Sequence, residues 1–144
     1  MILRQVIVSA VLLTAAACTH ALEMQPYSAA TLAAAQKADK PVALLFRADW
    51  CPTCRAQGKV LQKLKAEPGL DITVLEVNCD TEKDPKRHYK NQTQFTMVVL
   101  HGEKERARLV GDTTEAGIRA ALKSALWCLE IFHSRHLRRE YQRP

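Results

Sequence analysis

The stretch that decides the fold reads Ala48-Asp49-Trp50-Cys51-Pro52-Thr53-Cys54-Arg55. It follows the apolar run 41–46 and precedes a stretch with helical spacing, so Cys51 lies where a strand gives way to a helix. Unpaired backbone N–H groups and the positive end of the helix macrodipole stabilise a thiolate at that place. We therefore expect a lowered pKa for Cys51, which makes its sulfur a nucleophile near neutral pH.

The residues after Cys51 fit the same interpretation. Pro52 suits the first helical position, where the N–H group that proline lacks has no partner anyway. Cys54 lies three residues after Cys51, about one helical turn away, and can close a disulfide with it. We expect Cys51, at the helix start, to be the more exposed of the two.

Length and composition indicate one folded domain. The chain has 144 residues, of which 47% are apolar and 25% charged, an ordinary globular balance that argues against disorder. The net charge is +6, and half of it lies in residues 134–144, where four arginines face one glutamate. Because the rest of the chain is nearly neutral, it lacks the basic surface typical of nucleic-acid binding.

Residues 1–21 have the pattern of an export signal. Arg4 precedes an apolar stretch over residues 6–17, and Thr19-His20-Ala21 forms a cleavage site before Leu22. The apolar stretch is too short for a comfortable membrane span. A lipoprotein signal with Cys18 as the lipidated residue ranks second, and an uncleaved anchor ranks third. The expected location is periplasmic or otherwise exported, or membrane-anchored in the two alternatives, and oxidising in each case.

The cysteine count does not by itself define a disulfide framework. The chain contains five, namely Cys18, Cys51, Cys54, Cys79 and Cys128. Cleavage after Ala21 would leave four, but their spacings are irregular and a domain of this size does not need disulfides to fold. Cys79 follows an apolar strand and is interpreted as a small core residue, whereas Cys128 is interpreted as a bystander thiol.

Hydrophobic periodicity and turn residues predict alternating helices and strands. Helices are predicted over 28–38, capped by Ser28, over 51–66, 81–90 and 113–126. Strands are predicted over 42–47, 72–78, 96–100 and 106–110, with a turn at 101–104 and a linker or edge segment at 22–27. This order predicts an α/β sandwich around a mixed sheet with a final antiparallel hairpin.

Two segments resemble the thioredoxin family. The active-site strand and turn of that family resemble Phe46-Arg47-Ala48-Asp49-Trp50-Cys51-Pro52-Thr53-Cys54, and its final hairpin resembles residues 98–111. The resemblance covers about residues 28–126. It implies a thioredoxin-like three-layer α/β/α sandwich whose mixed sheet is closed by a C-terminal β-hairpin and helix. The implied organisation is an export signal over 1–21, a thioredoxin-like domain over 22–126 and a basic C-terminal extension over 127–144.

The resemblance also implies a reaction, thiol–disulfide exchange with other proteins. Cys51 attacks a substrate disulfide and forms a mixed disulfide, and Cys54 then resolves it; the reverse direction donates a disulfide. Trp50, Pro52 and Thr53 would tune the pKa of Cys51 and the redox potential. The implied partners are protein substrates and an upstream redox partner, without a metal or organic cofactor. Because Pro52 also resembles glutaredoxin-like and oxidising relatives, the direction of electron flow stays open, although Ala48-Asp49-Trp50-Cys51 favours a reductant or exchange role.

The first departure from the family pattern concerns a buried carboxylate. Thioredoxins typically carry an Asp six residues before the first cysteine, where this chain has Leu45. That Asp is thought to help to deprotonate the second cysteine. The matching position on the next strand is Glu76, and we hypothesise that it supplies the missing carboxylate. The alternative is an ordinary strand-edge glutamate that reaches solvent.

The second departure concerns the loop that faces the cysteines in the family. A cis-proline normally precedes a threonine there, whereas this chain has Gln94-Phe95-Thr96. A cis bond before a residue other than proline costs about 3–4 kcal/mol, so we expect a trans bond between Gln94 and Phe95. Phe95 and Thr96 are the candidate substrate-binding residues, and Phe95 could instead simply pack.

Two further interpretations stay open. The tail over 127–144 could contact an anionic membrane surface, as could the signal segment, although a non-functional extension is favoured. A different class of function is a metal site, zinc or iron–sulfur, for which Cys51, Cys54, Cys79 and His88 could supply zinc ligands. No second C-x-x-C or H-x-H pair supports it. A low-turnover binding module on the same fold is the remaining alternative.

Overall fold

Residues 21–126, which the computed structural model describes, fold into five strands and four helices. The strands are β1 (Glu23–Pro26), β2 (Pro41–Arg47), β3 (Thr73–Asn78), β4 (Thr96–His101) and β5 (Lys104–Val110). The helices are α1 (Ala29–Lys37), α2 (Pro52–Leu64), α3 (Lys83–His88) and α4 (Glu115–Ser124). Residues 1–20 of the predicted export signal (1–21) and the predicted tail over 127–144 lie outside the described residues, and so do Cys18 and Cys128.

The five strands form one mixed sheet in the order β1-β3-β2-β4-β5. β1 and β2 run parallel to β3, whereas β4 is antiparallel to β2 and β5 is antiparallel to β4. The predicted mixed sheet and C-terminal hairpin are therefore confirmed. The hairpin does not close the sheet into a barrel, because β1 and β5 are its two open edges.

Helices cover both faces of the sheet, as a three-layer sandwich requires. Leu61 and Leu64 of α2 and Ile118 and Leu122 of α4 pack with Leu45 on one face. On the other face, the apolar cluster is built from α1, the alternate residues of β2, β3 and β4, and Tyr89 after α3. β2 lies at the centre, and its five middle residues are all buried, as its uninterrupted apolar run predicts.

The segment 22–27 is an edge strand, β1, rather than a linker. The four residues of β1 pair in parallel with β3, with Glu23 opposite Thr73 and Pro26 opposite Glu76. Proline is tolerated at a sheet edge because no ladder hydrogen bond has to be donated outward. The hairpin turn is also tighter than predicted, since β4 extends to His101 and β5 begins at Lys104.

Candidate functional site

Cys51 and Cys54, which we call the redox pair, lie at the junction between the end of β2 and the start of α2. Cys51 is the N-cap of α2 with an extended backbone, and Pro52 occupies the first turn. The backbone N–H of Cys54 donates a hydrogen bond to Cys51 Sγ over 3.1 Å. The helix N-terminus therefore offers its free donors to the sulfur of Cys51, as the sequence predicts, and a thiolate there would be stabilised.

Cys51 and Cys54 form a disulfide, with their Cα atoms 5.3 Å apart. Each cysteine is only 2% exposed in this oxidised form. The expectation that Cys51 is the more exposed of the two is therefore wrong for the disulfide form, because Ala48 and Phe95 pack against both sulfur-bearing residues. The capping position, rather than exposure, distinguishes Cys51 from Cys54.

Phe95 packs next to the disulfide and has an unusual backbone conformation. Its φ is +56°, in the left-handed region, and residues 21–126 contain no cis peptide bond, in line with the trans bond predicted before Phe95. Its side chain packs with Ala48, Cys51 and Cys54. Its carbonyl accepts hydrogen bonds from Gly111 N–H over 2.9 Å and from Gln57 Nε2 over 3.2 Å. Phe95 thus packs against the redox pair, and its predicted substrate contact stays a prediction.

Thr96, the other candidate substrate-binding residue, is fully buried at the start of β4. Its hydroxyl is 3.1 Å from the hydroxyl of Thr93, with which it shares a hydrogen bond. The side chain therefore has a partner within the loop, and a contact with substrate stays a prediction.

Trp50 is the most exposed large apolar side chain near the pair. It is 62% exposed, and its Nε1–H donates to Asp80 Oδ2 over 3.2 Å. Asp80 follows β3, and its own N–H donates to Asn78 Oδ1. The indole is thereby fixed at its polar end and open along its ring. Pro52 is exposed and Thr53 half-buried beside it, and tuning of Cys51 by these three neighbours stays a prediction.

Glu76 lies next to Leu45 in the sheet, directly opposite it in the β2–β3 register. Its carboxylate is 3.6 Å from Arg47 Nε, and Arg47 also pairs with Asp49 over 3.1 Å. Glu76 is half-buried and, among the described residues, has no hydrogen bond to either cysteine. Its role as a substitute carboxylate therefore stays a prediction.

The other described cysteine is isolated from the pair. Cys79 is a buried free thiol that belongs to the core on the α1 side of the sheet. Burial raises the pKa of Cys79, which keeps it a thiol. Residues 21–126 contain no group of three or more His, Cys, Asp or Glu side chains able to hold a metal ion. The zinc set of Cys51, Cys54, Cys79 and His88 thus receives no support from the described residues.

Gln57 is the site residue that the sequence analysis missed. It is fully buried on α2, where an apolar stripe was expected, and its Nε2 donates to the carbonyls of Phe95 and Asp112 over 3.2 and 3.0 Å. A signal was present in the sequence, because Gln57 shares one helical face with Cys54, Leu61 and Leu64, and that spacing indicates a buried position.

No helix within residues 21–126 is long and apolar enough to span a bilayer.

Comparisons with known proteins agree with this geometry. The profile of the family described as Thioredoxin matches residues 19–124. A thioredoxin of Mycolicibacterium smegmatis is 30% identical over 89 residues, which are 60% of this chain and 80% of that protein. A bifunctional thioredoxin reductase/thioredoxin of Mycobacterium leprae is 29% identical over 80 residues, 56% of this chain but only 18% of that protein.

A solved structure extends the likeness to three dimensions. The crystal structure of Trxlp from Edwardsiella tarda is 30% identical, superimposes with a TM-score of 0.65, and the match covers 69% of this chain and 98% of that one. The Cys51–Cys54 disulfide lies within the segment matched by the family profile. The chain belongs to the thioredoxin family, and its redox pair supports thiol–disulfide oxidoreductase activity.

Proposed function

We propose that this protein is an exported thiol–disulfide oxidoreductase that reduces or exchanges disulfides in other proteins. The observation that carries the proposal is the Cys51–Cys54 disulfide at the N-terminus of α2, with Cys54 N–H donating to Cys51 Sγ. A helix N-terminus favours the thiolate, and a second sulfur one turn away favours rapid closure of the ring. The pair can therefore pass between dithiol and disulfide by exchange with a disulfide or dithiol of another protein.

The reaction proceeds in two exchange steps. In the reduced protein, the Cys51 thiolate attacks one sulfur of a substrate disulfide, which forms a mixed disulfide and releases the other substrate sulfur as a thiolate. The Cys54 thiolate then attacks Cys51 Sγ, which closes the Cys51–Cys54 disulfide and releases the second substrate thiolate. Two electrons pass from the pair to the substrate, and the two protons of the dithiol end on the substrate thiols.

An apolar rim near the redox pair supports protein substrates. We define this rim as Trp50, Phe95 and Val110. Trp50 is 62% exposed and Val110 is 59% exposed, although both are large apolar residues. Val110 pairs with Thr96, directly after Phe95, so it lies beside the loop that packs on the redox pair. Exposed apolar side chains next to a reactive group suit an unfolded or extended polypeptide better than a small polar thiol.

The reducing or exchange direction is supported by the residues before Cys51. At these positions the chain resembles thioredoxin more closely than it resembles the dedicated oxidants, with the sequence Ala48-Asp49-Trp50-Cys51. Turnover in this direction requires that another dithiol reduce Cys51–Cys54 again. We therefore include an upstream dithiol partner in the proposal.

Export is supported by the sequence at the N-terminus. Arg4, the apolar residues 6–17 and the small residues before Leu22 form a signal pattern. Expression of the full chain in a bacterial host, followed by fractionation and mass analysis, tests this part. A periplasmic product that begins at Leu22 supports it, and a product with a lipid on Cys18 selects the lipoprotein form. A full-length cytosolic product would contradict export without affecting the redox activity.

The redox potential tests the direction of the reaction. Purified protein is equilibrated with glutathione buffers, and the fraction of the Cys51–Cys54 pair in the disulfide form is measured by alkylation and mass analysis. A potential of about −270 mV supports a reductant, whereas a value of about −120 mV indicates an oxidant. Metal content is measured on the same sample. Stoichiometric zinc or iron without any disulfide exchange would overturn the proposal.

Trapping identifies the substrates. Because Cys54 resolves the mixed disulfide, the variant Cys54→Ala should accumulate proteins linked to Cys51. The variant Cys51→Ala/Cys54→Ala is the matched control, since it lacks the attacking sulfur. Proteins captured by the first variant and absent from the second are substrates, and equal recovery from both would contradict the assigned roles.

A further inference from the structure

Gln57 is the one buried side chain on the face of α2 behind the redox pair that carries an amide. Residues 21–126 contain only two other buried polar side chains, Asn91 and Thr96, and both have hydrogen-bond partners within their own loop. Gln57 follows Cys54 by three residues, so the two side chains lie on the same face, about 5–6 Å apart at Cβ. Burial of a glutamine amide at this position costs free energy unless the amide forms hydrogen bonds.

The amide of Gln57 connects the redox helix to two loops. Its Nε2 donates one hydrogen bond to the carbonyl of Phe95, just before β4, and one to the carbonyl of Asp112, just after β5. Two carbonyl acceptors fix the orientation of the group, because only the nitrogen of the amide carries hydrogens. Its Oε1 is buried without a partner among the described residues. The Gln57 side chain therefore serves as a hydrogen-bond donor to these two loops, while its acceptor oxygen stays unsatisfied, which costs free energy.

Phe95 needs such a restraint. At a φ of +56° a residue with a bulky side chain is strained, and the conformation persists only when its surroundings hold it. Two donors hold its carbonyl, Gly111 N–H and Gln57 Nε2. Without Gln57, only the hydrogen bond within the β4–β5 edge would remain. The ring of Phe95 packs against Cys51 and Cys54, so a relaxed backbone would move the ring away from the disulfide.

We propose that Gln57 is a positioning residue for exchange with protein disulfides: its amide holds Phe95 at the redox pair and so fixes the surface on which a polypeptide substrate lies during attack by Cys51. The inference rests on the function proposed above. It adds that the substrate-facing loop is held by the same helix that carries the two cysteines. A small disulfide needs only access to the sulfur of Cys51, whereas a polypeptide also needs the loop in place.

The test compares two substrates in one variant. Gln57→Met keeps the length of the side chain and removes the donor. The second-order rate constant for oxidation of the reduced protein is measured for wild type and variant with insulin, a protein disulfide, and with hydroxyethyl disulfide, a small one. We expect the insulin-to-hydroxyethyl disulfide ratio to fall about 10-fold in Gln57→Met. The ratio does not depend on the folded fraction of the sample, so a merely structural role would leave it unchanged.

Three further variants complete the test. Gln62→Met is the matched control, because Gln62 is an exposed glutamine of the same helix whose Nε2 donates to Met24 Sδ over 3.5 Å. This variant should keep the wild-type ratio. Phe95→Gly removes the ring and relieves the positive φ, so it should lower the ratio on its own, and adding Gln57→Met should lower it no further.

Each result bears on a different claim. A wild-type protein that turns over neither substrate contradicts the proposed function itself. A wild-type protein that turns over both, with an unchanged ratio in Gln57→Met, overturns only the positioning role. If Gln57→Met does not fold, Phe95→Gly decides the matter, since an unchanged ratio there would mean that the ring positions nothing.

Discussion

Leu45 and Glu76 stand directly opposite each other on the parallel strands β2 and β3, so the half-buried carboxylate lies beside a fully buried apolar side chain. Arg47, two residues after Leu45, reaches the same carboxylate with Nε at 3.6 Å. The sheet thus places an acid close to the end of the strand that delivers the redox pair. Glu76 therefore has two candidate roles. It could assist deprotonation of Cys54, or it could serve only as the structural ion-pair partner of Arg47.

Substitution of Glu76 separates those roles. If the carboxylate assists deprotonation of Cys54, Glu76→Gln should slow release of the substrate from the mixed disulfide, by up to about 100-fold, because an amide cannot accept a proton near neutral pH. The rate is measured by stopped-flow after a mixed disulfide has been formed at Cys51.

The control for this experiment is Glu23→Gln, an exposed glutamate at the sheet edge. It should leave the release rate unchanged. Equal release rates of Glu76→Gln and wild type across the pH range would leave Glu76 with its structural pairing to Arg47 alone.

Two glycines give stability changes of opposite sign. Gly102 in the hairpin turn has a φ of +55°, and a Cβ there would collide with Asp39 Oδ1. Gly102→Ala should therefore lower the free energy of unfolding by about 1–3 kcal/mol. Gly58 lies inside α2, and a Cβ there would have no atom within 4 Å, so Gly58→Ala should raise it by up to about 1 kcal/mol. Urea unfolding measures both, and a shared sign would contradict the conformational argument.

Acid should loosen the contact between α4 and the end of α2. Hydrogen bonds from Arg119 and then Lys123 hold the pKa of Glu67 below its ordinary value of 4.5. A lowered pKa in the folded state stabilises the protein above the unfolded value, and this contribution is lost as the pH falls through the folded value. Wild type should therefore be more stable than Glu67→Gln at neutral pH, with a gap that narrows below about pH 4.5.

Urea midpoints measured between neutral pH and strong acid test this prediction. Glu103→Gln, at an exposed position in the hairpin turn, is the control and should track the wild type at every pH. A gap between wild type and Glu67→Gln that stays constant on acidification would mean that the carboxylate charge is not what stabilises this contact.

Individual helices and strands could be predicted where the local sequence is unambiguous. The uninterrupted apolar run of β2 and the amphipathic stripe of α2 indicate their own structure, and a tight connection indicates the β4–β5 hairpin. For β1 the sequence predicts only a linker or edge segment, because four residues that include Pro26 carry little strand signal. Its pairing with β3 is a long-range contact that no local pattern of residues encodes.

The site residues also differ in whether local sequence could predict their placement. Cys51 and Cys54 could be placed from spacing and context, since both effects act within one helical turn. The left-handed backbone of Phe95 could not, because a bulky residue disfavours that region and the hydrogen bonds to its carbonyl come from Gln57 and Gly111, which are distant in sequence. A buried glutamine on the stripe of α2 was the one local sign that a polar partner had to exist.

The three described thiols should differ in their reactivity after reduction. Cys51 caps α2 and faces its backbone donors, so it should be alkylated first by iodoacetamide at neutral pH. Cys54 is equally buried but does not occupy the cap, and it should follow. Burial raises the pKa of Cys79, so its thiolate is scarce and it should react last, only as fast as the protein opens. Peptide mapping by mass spectrometry gives the order, and labelling of Cys79 before Cys51 would contradict the assignment of the nucleophile.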